Sequence, residues 1–333
     1  MKYRTLGKTG LQVSELGFGC GAVGGLLVRG DPKEMARGVA RAMELGVNYF
    51  DTARMYGNGQ SETNLGRVLE ELKADALVGS KVQLAPAEME RTPFGDVPVE
   101  EAVVAAVEDS LRRLRRDRVD LFQLHNAIGL QRQPERGWVG VADLEPVMRA
   151  FQSLQAQGKV RFWGINGLGE TEAVHQAVAQ GNADTVQTCY NLLNPSAGMP
   201  APPGFPFQDY RQVIDRAAGQ QLGVIAIRVL AAGALSGSVS RHPLAAQAVA
   251  PIASGRDLAE DVNRSQAFQF LVEEGYAGSL VEAAIRFAIS KAEVSTALVG
   301  FSSLAQLEQA AAAVNKGPLP AEAFDRLRQV WSD

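Results

Sequence analysis

The chain is short of cysteine, of histidine, of long apolar runs and of any excess charge. Its two cysteines, Cys20 and Cys189, cannot build a disulfide framework, and a reducing cytoplasm is the expected location. Its three histidines, His125, His175 and His242, are scattered without zinc-ligand spacing, so no metal is expected. No run of ~18 uncharged apolar residues occurs, which argues against a membrane-spanning helix. The most apolar stretch, Leu222 to Leu235, is broken by Arg228. The opening Met1-Lys2-Tyr3-Arg4 lacks the apolar core of a secretory signal. Lys and Arg total 33 against 37 Asp and Glu, a formal net charge of −4. That balance gives no electrostatic footprint for nucleic acid or an anionic membrane.

What is present is a regular alternation. No linker or composition shift divides the 333 residues, so a single domain is expected. Residues 1–16 read as a hairpin around the turn Gly7-Lys8-Thr9-Gly10. Strand-like runs follow at Leu16 to Phe18, Val47 to Phe50, Ala76 to Gly79, Val119 to Leu124, Val160 to Ile165, Asp184 to Gln187, Gly223 to Ile227 and Thr296 to Val299. Helical periods lie between them, among them Asp31 to Leu45, Ser61 to Leu72, Val99 to Leu114, Asp143 to Gln157, Glu170 to Gln180, Tyr210 to Gln220 and Ser279 to Ser290. Two more helices, Leu304 to Val314 and one within 315–333, end the chain. Eight strand–helix units in about 300 residues predict an α/β fold, a closed (β/α)₈ TIM barrel with an N-terminal β-hairpin and extra C-terminal helices. The Pro-rich stretch Asn191 to Asp209 reads as a functional loop.

In such a barrel the C-terminal strand ends converge on the active site. Polar residues end successive strands: Asp51, Lys81, His125, Asn166, Gln187 and Arg228, with Tyr56 five residues after Asp51. A free tyrosine, with a pKa of about 10, is a poor proton source at neutral pH. A nearby ammonium lowers that value, and a carboxylate keeps the lysine charged and aimed. A histidine can donate to a substrate oxygen. The set of Asp51, Tyr56, Lys81 and His125 is acid–base equipment for carbonyl–alcohol interconversion, without a nucleophile for acyl transfer or ligands for a metal.

Several segments carry a resemblance. They are Tyr3-Arg4-Thr5-Leu6-Gly7-Lys8-Thr9-Gly10-Leu11, Phe50-Asp51-Thr52-Ala53-Arg54-Met55-Tyr56-Gly57 with Ser61-Glu62, Gly79-Ser80-Lys81-Val82, and Val119 through His125. With Gly158-Lys159-Val160-Arg161 they make the chain resemble the aldo-keto reductase superfamily over nearly its whole length. The resemblance implies a barrel that binds NADP(H) or NAD(H) in extended form and a catalytic tetrad of Asp51, Tyr56, Lys81 and His125. Tyr56 would be the proton donor, and the substrate a small carbonyl compound, alcohol or sugar. It further implies that Gln187 holds the nicotinamide carboxamide. The loop Leu230 to Gly237, with Ser236, would cover the pyrophosphate, and Gly300 to Gln309 would hold the adenosine end.

The chain departs from that pattern in places. Asn166-Gly167 stands where Ser-Asn is usual, and Ile227-Arg228-Val229-Leu230 where an aromatic-Ser-Pro-Leu is common. Arg228 could stack on the nicotinamide in place of the aromatic shelf. Ser302 and Gln306 stand at positions often basic, which leans away from a 2′-phosphate and leaves the cofactor preference open.

Other features read more simply. Gly19-Cys20-Gly21-Ala22-Val23-Gly24 matches G-x-G-x-x-G but is not followed directly by a helix, so a flexible barrel-mouth loop with Cys20 near substrate is expected. Gly7-Lys8-Thr9 lacks the first glycine of a P-loop. The basic run Arg112, Arg113, Arg115, Arg116 and Arg118 reads as a solvated helix end. Cys189 and Tyr190 are candidates to line the pocket. Substrate choice is expected from Gly19 to Gly30, Pro86 to Pro98, Ala127 to Gly140 and Asn191 to Asp209. Competing expectations are a nucleotide-binding sensor related to potassium-channel β subunits, and a phosphate-handling barrel lyase or isomerase. Oligomeric state is open.

Overall fold

The computed structural model describes residues 1–84 and 99–332. The expected loop Pro86 to Pro98 lies outside the described residues. Two short strands, β1 (Tyr3–Thr5) and β2 (Gln12–Ser14), pair antiparallel as the hairpin. Eight parallel strands then close a barrel. They are β3 (Leu16–Gly19), β4 (Tyr49–Asp51), β5 (Leu77–Val82), β6 (Val119–Leu124), β9 (Val160–Asn166), β10 (Thr185–Cys189), β11 (Gly223–Ile227) and β12 (Val294–Gly300), which returns to β3. A minor sheet of β7 (Ile128–Gly129) and β8 (Val139–Gly140) sits in the connection after β6.

The helices around the barrel are α2 (Pro32–Glu44), α3 (Gln60–Glu71), α4 (Val99–Leu114), α5 (Leu144–Ala156), α6 (Thr171–Ala179), α7 (Val213–Gly219), α10 (Leu280–Ser290) and α11 (Leu304–Asn315). Smaller ones are α1 (Leu26–Arg29), α8 (Leu258–Ser265) and α9 (Phe270–Glu273), and α12 (Ala321–Ser332) closes the chain. Caps set several starts. Asp31 accepts from the Lys33 N–H at 2.8 Å, with Pro32 at the first helical position. Ser279 and Asp257 likewise accept from the N–H three residues on.

The hairpin closes the N-terminal end of the barrel. Gly7 packs so tightly on Gly223, the first residue of β11, that an added Cβ would lie 2.2 Å from its nitrogen. Leu6 and Val13 form an apolar plug with Tyr49, Leu121, Ile225 and Leu298. The C-terminal strand ends are left as the mouth.

Two readings are revised. Helix α7 starts at Val213, because Arg211 and Gln212 take left-handed backbone and Asp209 accepts from the Arg211 N–H at 2.7 Å. The Gly19 to Gly30 segment contains α1 and is tied down: the Leu26 N–H donates to Phe301 O at 3.1 Å, and Arg29 Nε to Leu244 O at 2.8 Å. The basic run from the last turn of α4 to Arg118 lies at the helix end with Arg112, Arg115 and Arg118 exposed, and it is also ion-paired. Arg112 meets Asp109, Arg113 meets Glu62, Arg115 meets Glu70 and Arg116 meets Asp120. Among the described residues no helix is long and apolar enough to cross a membrane.

Candidate active site

Alternation along strands explains what faces the barrel interior. Tyr49 and Asp51 are two apart on β4, so both point inward. Gly79 and Lys81 do the same on β5, and Gly79 pairs with Asp51. A Cβ at Gly79 would meet the Tyr49 hydroxyl at 2.3 Å. The glycine is therefore the space that lets the Tyr49 ring cross beneath the site.

The structure brings the four tetrad residues together. Lys81 Nζ donates to Asp51 Oδ1 and, at 2.8 Å, to the Thr52 carbonyl. The same ammonium lies 5.1 Å from the Tyr56 ring centroid. The Tyr56 and His125 rings meet edge to face, with centroids 5.9 Å apart and planes at 87°. Asp51 and Lys81 are buried, whereas Tyr56 and His125 are half-buried at the mouth.

The electrostatics differ from the sequence reading in one respect. Burial pushes the Tyr56 phenol up, Lys81 pulls it down by charge and hydrogen bonding, and the balance lies above the usual tyrosine range. Lys81 acts in the expected direction but does not win. Burial would lower Lys81 itself, but Asp51 and Tyr56 hold it above its ordinary value. Burial, and then the Lys81 charge, lower His125 to about 3, so its imidazole is neutral at physiological pH.

Asp51 is gripped by more than the lysine. The Tyr49 hydroxyl donates to Oδ2 at 3.1 Å, and Gln187 Nε2 donates to the same oxygen at 2.8 Å. Sequence reading missed Tyr49, although the strand alternation that places Asp51 inward places Tyr49 inward too. Gln187 thus has its amide nitrogen committed to the tetrad. Tyr49→Phe should cost about 1–2 kcal/mol, because one donor to a buried carboxylate is lost. A chemical denaturation curve checks this; a midpoint equal to wild type would contradict it.

The signature residues Ser61 and Glu62 brace the site from outside. Ser61 Oγ bonds Thr52 Oγ1 and the Cys20 carbonyl, both at 2.8 Å. Glu62 accepts from Ser80 Oγ at 2.5 Å and Arg113 Nε at 2.6 Å. Asn126 staples the loops after β5 and β6, accepting from the Leu84 N–H and donating to the Leu84 carbonyl, both at 2.9 Å. These are tertiary contacts with no sequence signal of their own.

The other expected site residues fall as follows. Asn166 Nδ2 donates to the His125 carbonyl at 3.0 Å, while Asn166 Oδ1 and His125 Nδ1 are buried with no partner. An amide N–H is what Asn166 Oδ1 lacks, so that residue fits the carboxamide of a nicotinamide, while His125 Nδ1 takes a donor or an acceptor according to its tautomer. Arg228 follows β11, is half-buried and donates to the Ala250 carbonyl at 3.1 Å. Leu230 is half-buried and Ser236 is exposed, its hydroxyl 3.4 Å from Ser238 O. Gly300 ends β12 at the mouth. Ser302 Oγ donates to Gly24 O at 2.5 Å, and Gln306 Oε1 accepts from the Ser302 N–H at 2.8 Å, so both are engaged within the protein. Cys20 is buried in the core, and burial pushes its thiol up, followed by the Asp51 charge. Cys189 and Tyr190 are also buried core residues.

Known proteins of this shape supply the context. A solved structure of aldo-keto reductase AKR11C1 from Bacillus halodurans, in its holo form, superposes with a TM-score of 0.71 at 25% identity, over 99% of this chain and 96% of that one. L-galactose dehydrogenase of Arabidopsis thaliana is 28% identical over 324 residues, 95% of this chain and 89% of that protein. A probable voltage-gated potassium channel subunit beta of Arabidopsis thaliana is 25% identical over 99% of this chain and 96% of that protein. The model of the Aldo/keto reductase family matches residues 15–332, and the chain belongs to that family.

Proposed function

We propose that this aldo-keto reductase interconverts an aldehyde or ketone with its alcohol, or oxidises a sugar, with Tyr56 as the general acid and base. The observation that carries the reading is the set of side chains at the mouth. The Tyr56 phenol lies beside the Lys81 ammonium, the ammonium is fixed by Asp51, and a neutral His125 stands edge-on. When bound, a nicotinamide supplies or takes the hydride. Tyr56 gives its hydroxyl proton to the carbonyl oxygen in reduction and recovers it in oxidation. Lys81 offsets the charge left on the phenolate, and Asp51 keeps Lys81 aimed. His125, held neutral, orients the substrate oxygen by a hydrogen bond rather than by charge. Asn166 Oδ1 and Gln187 are the groups that would hold the carboxamide.

Titration with NADPH and NADH by fluorescence, followed by addition of a reactive aromatic aldehyde, tests the proposal. Binding with loss of nicotinamide absorbance is expected. The similarity to a channel subunit supports a second reading, a nucleotide-binding subunit. That reading predicts tight binding and no turnover on a panel of aldehydes, alcohols and sugars.

The pKa directions fix a pH profile. Reduction uses protonated Tyr56, whose raised pKa keeps it loaded through neutral pH; activity falls only as pH rises through that value. Oxidation uses the phenolate, so its kcat/KM should climb about tenfold per pH unit on the alkaline side. His125, lowered to about 3, gives no break between pH 6 and pH 7. A break there in the reduction profile would contradict the neutral-imidazole assignment.

A further inference from the structure

The apolar plug at the base of the barrel has one polar head. Leu6, Val13, Leu121, Ile225 and Leu298 cluster with Tyr49, and only Tyr49 among them has a polar side-chain atom. Its hydroxyl donates to Asp51 Oδ2 at 3.1 Å. A phenylalanine would fill nearly the same volume, so packing by itself does not call for the oxygen. The room for that oxygen is built into the next strand: a Cβ at Gly79 would lie 2.3 Å from it. Tyr49 is 1% exposed and Asp51 is 3% exposed, so water does not compete for the bond. Burial, and then the Asp51 charge, push the Tyr49 phenol well above its ordinary value, which keeps it a donor wherever the protein stays folded.

The two oxygens of Asp51 have separate partners. Oδ1 takes the Lys81 ammonium, and Oδ2 takes Tyr49 and Gln187. A hydrogen bond to a carboxylate stabilises its ionised form and offsets part of its charge. The Asp51 charge pushes the Tyr56 phenol up, and the Lys81 ammonium that Asp51 holds pulls it down. Taking a donor from Oδ2 leaves more charge on Asp51. That charge then acts more strongly on Tyr56 and draws Lys81 more tightly to itself, and both effects move the phenol upward. The other titratable groups around the cluster are neutral or paired. Burial keeps Cys20, after β3, as a thiol; His125, after β6, is lowered to about 3; and Asp120, on β6, meets Arg161 at 2.9 Å. We propose that Tyr49 is a positioning residue of the proton machinery: its hydroxyl, given room by Gly79, shares the Asp51 charge and so sets the proton affinity of Tyr56. This rests on the reading that Tyr56 moves the proton. Where Gln187 turns to a bound carboxamide, Tyr49 is the donor left on Oδ2.

The test uses the full chain and the variants Y49F, D51N and Y49F/D51N. Carbon-13 at tyrosine Cζ reports the ionisation of each tyrosine by NMR, and Y56F assigns the Tyr56 signal among the six. The pH at which Tyr56 ionises should rise by about 0.5–1 in Y49F. Y49F should add no shift in the D51N background, because the effect passes through the Asp51 charge. In turnover, the alkaline rise of kcat/KM for oxidation of an aromatic alcohol should move to higher pH in Y49F. At neutral pH that quantity should fall by up to about tenfold, while reduction, which uses protonated Tyr56, should change less. A Tyr49 that serves packing only would lower the denaturation midpoint and leave both pH dependences unmoved, which would overturn the proposal. So would a shift that persists in D51N, or a shift to lower pH. Absence of turnover in wild type at every pH would instead overturn the reading of Tyr56 as general acid and base, while the NMR titration would still decide whether Tyr49 sets its ionisation.

Discussion

Tyr56→Phe is expected to reduce kcat for carbonyl reduction by about 10²–10⁴-fold, the usual contribution of a positioned proton donor. The substitution removes only the hydroxyl. The phenyl ring keeps its edge-to-face contact with His125 and its place under Lys81. Dinucleotide dissociation constants should therefore stay at the wild-type value, and the loss should fall in kcat and kcat/KM alike. Steady-state kinetics beside a fluorescence titration separates the two quantities. Full turnover in the variant would mean that the proton comes from elsewhere, and Tyr56 would lose its role. Weakened nucleotide binding with normal kcat would make Tyr56 a binding residue only.

The largest effect on stability is expected at Glu62, which is remote from the substrate. Its carboxylate is fully buried and accepts from Ser80 and Arg113. Glu62→Ala leaves the Ser80 hydroxyl buried without its partner and Arg113 without its counterion. Breaking a buried ion pair in this way costs about 3–5 kcal/mol. Arg113 is 24% exposed and also donates to Ser110 Oγ, so the lower end applies. That is a large fraction of a domain stability of about 5–15 kcal/mol. The urea midpoint should fall with an unchanged slope. Activity should fall as well, because Ser80 precedes Lys81 on β5 and anchors the outer face of that strand. A midpoint within error of wild type would show that the buried pair contributes nothing.

Much of this architecture is legible in the sequence because barrel strands and helices carry opposed periodicities. Val119–Leu124, Gly223–Ile227 and Val99–Leu114 form as their apolar spacing implies. The tetrad is legible because each member ends a strand or follows one closely. Short helices were not legible. Leu26–Arg29 and Phe270–Glu273 are too brief to show a period. The left-handed residues that delay α7 are set by Asp209, not by local propensity. Contacts between distant elements were also hidden: Gln187 on Asp51 and Glu62 on Ser80. The raised Tyr56 pKa depends on how deeply the barrel buries the phenol, a quantity that residue order does not carry.

The central claim is that this barrel passes a hydride between nicotinamide and a carbonyl carbon while Tyr56 handles the proton. Reduced dinucleotide deuterated at the nicotinamide C4 position, incubated with wild-type protein and an aromatic aldehyde, tests it directly. Deuterium on the carbinol carbon of the product, and its absence with Tyr56→Phe over the same time, is the predicted result. Alcohol formed without deuterium at that carbon from a fully dideuterated cofactor, or equal labelled product from the variant, would contradict it.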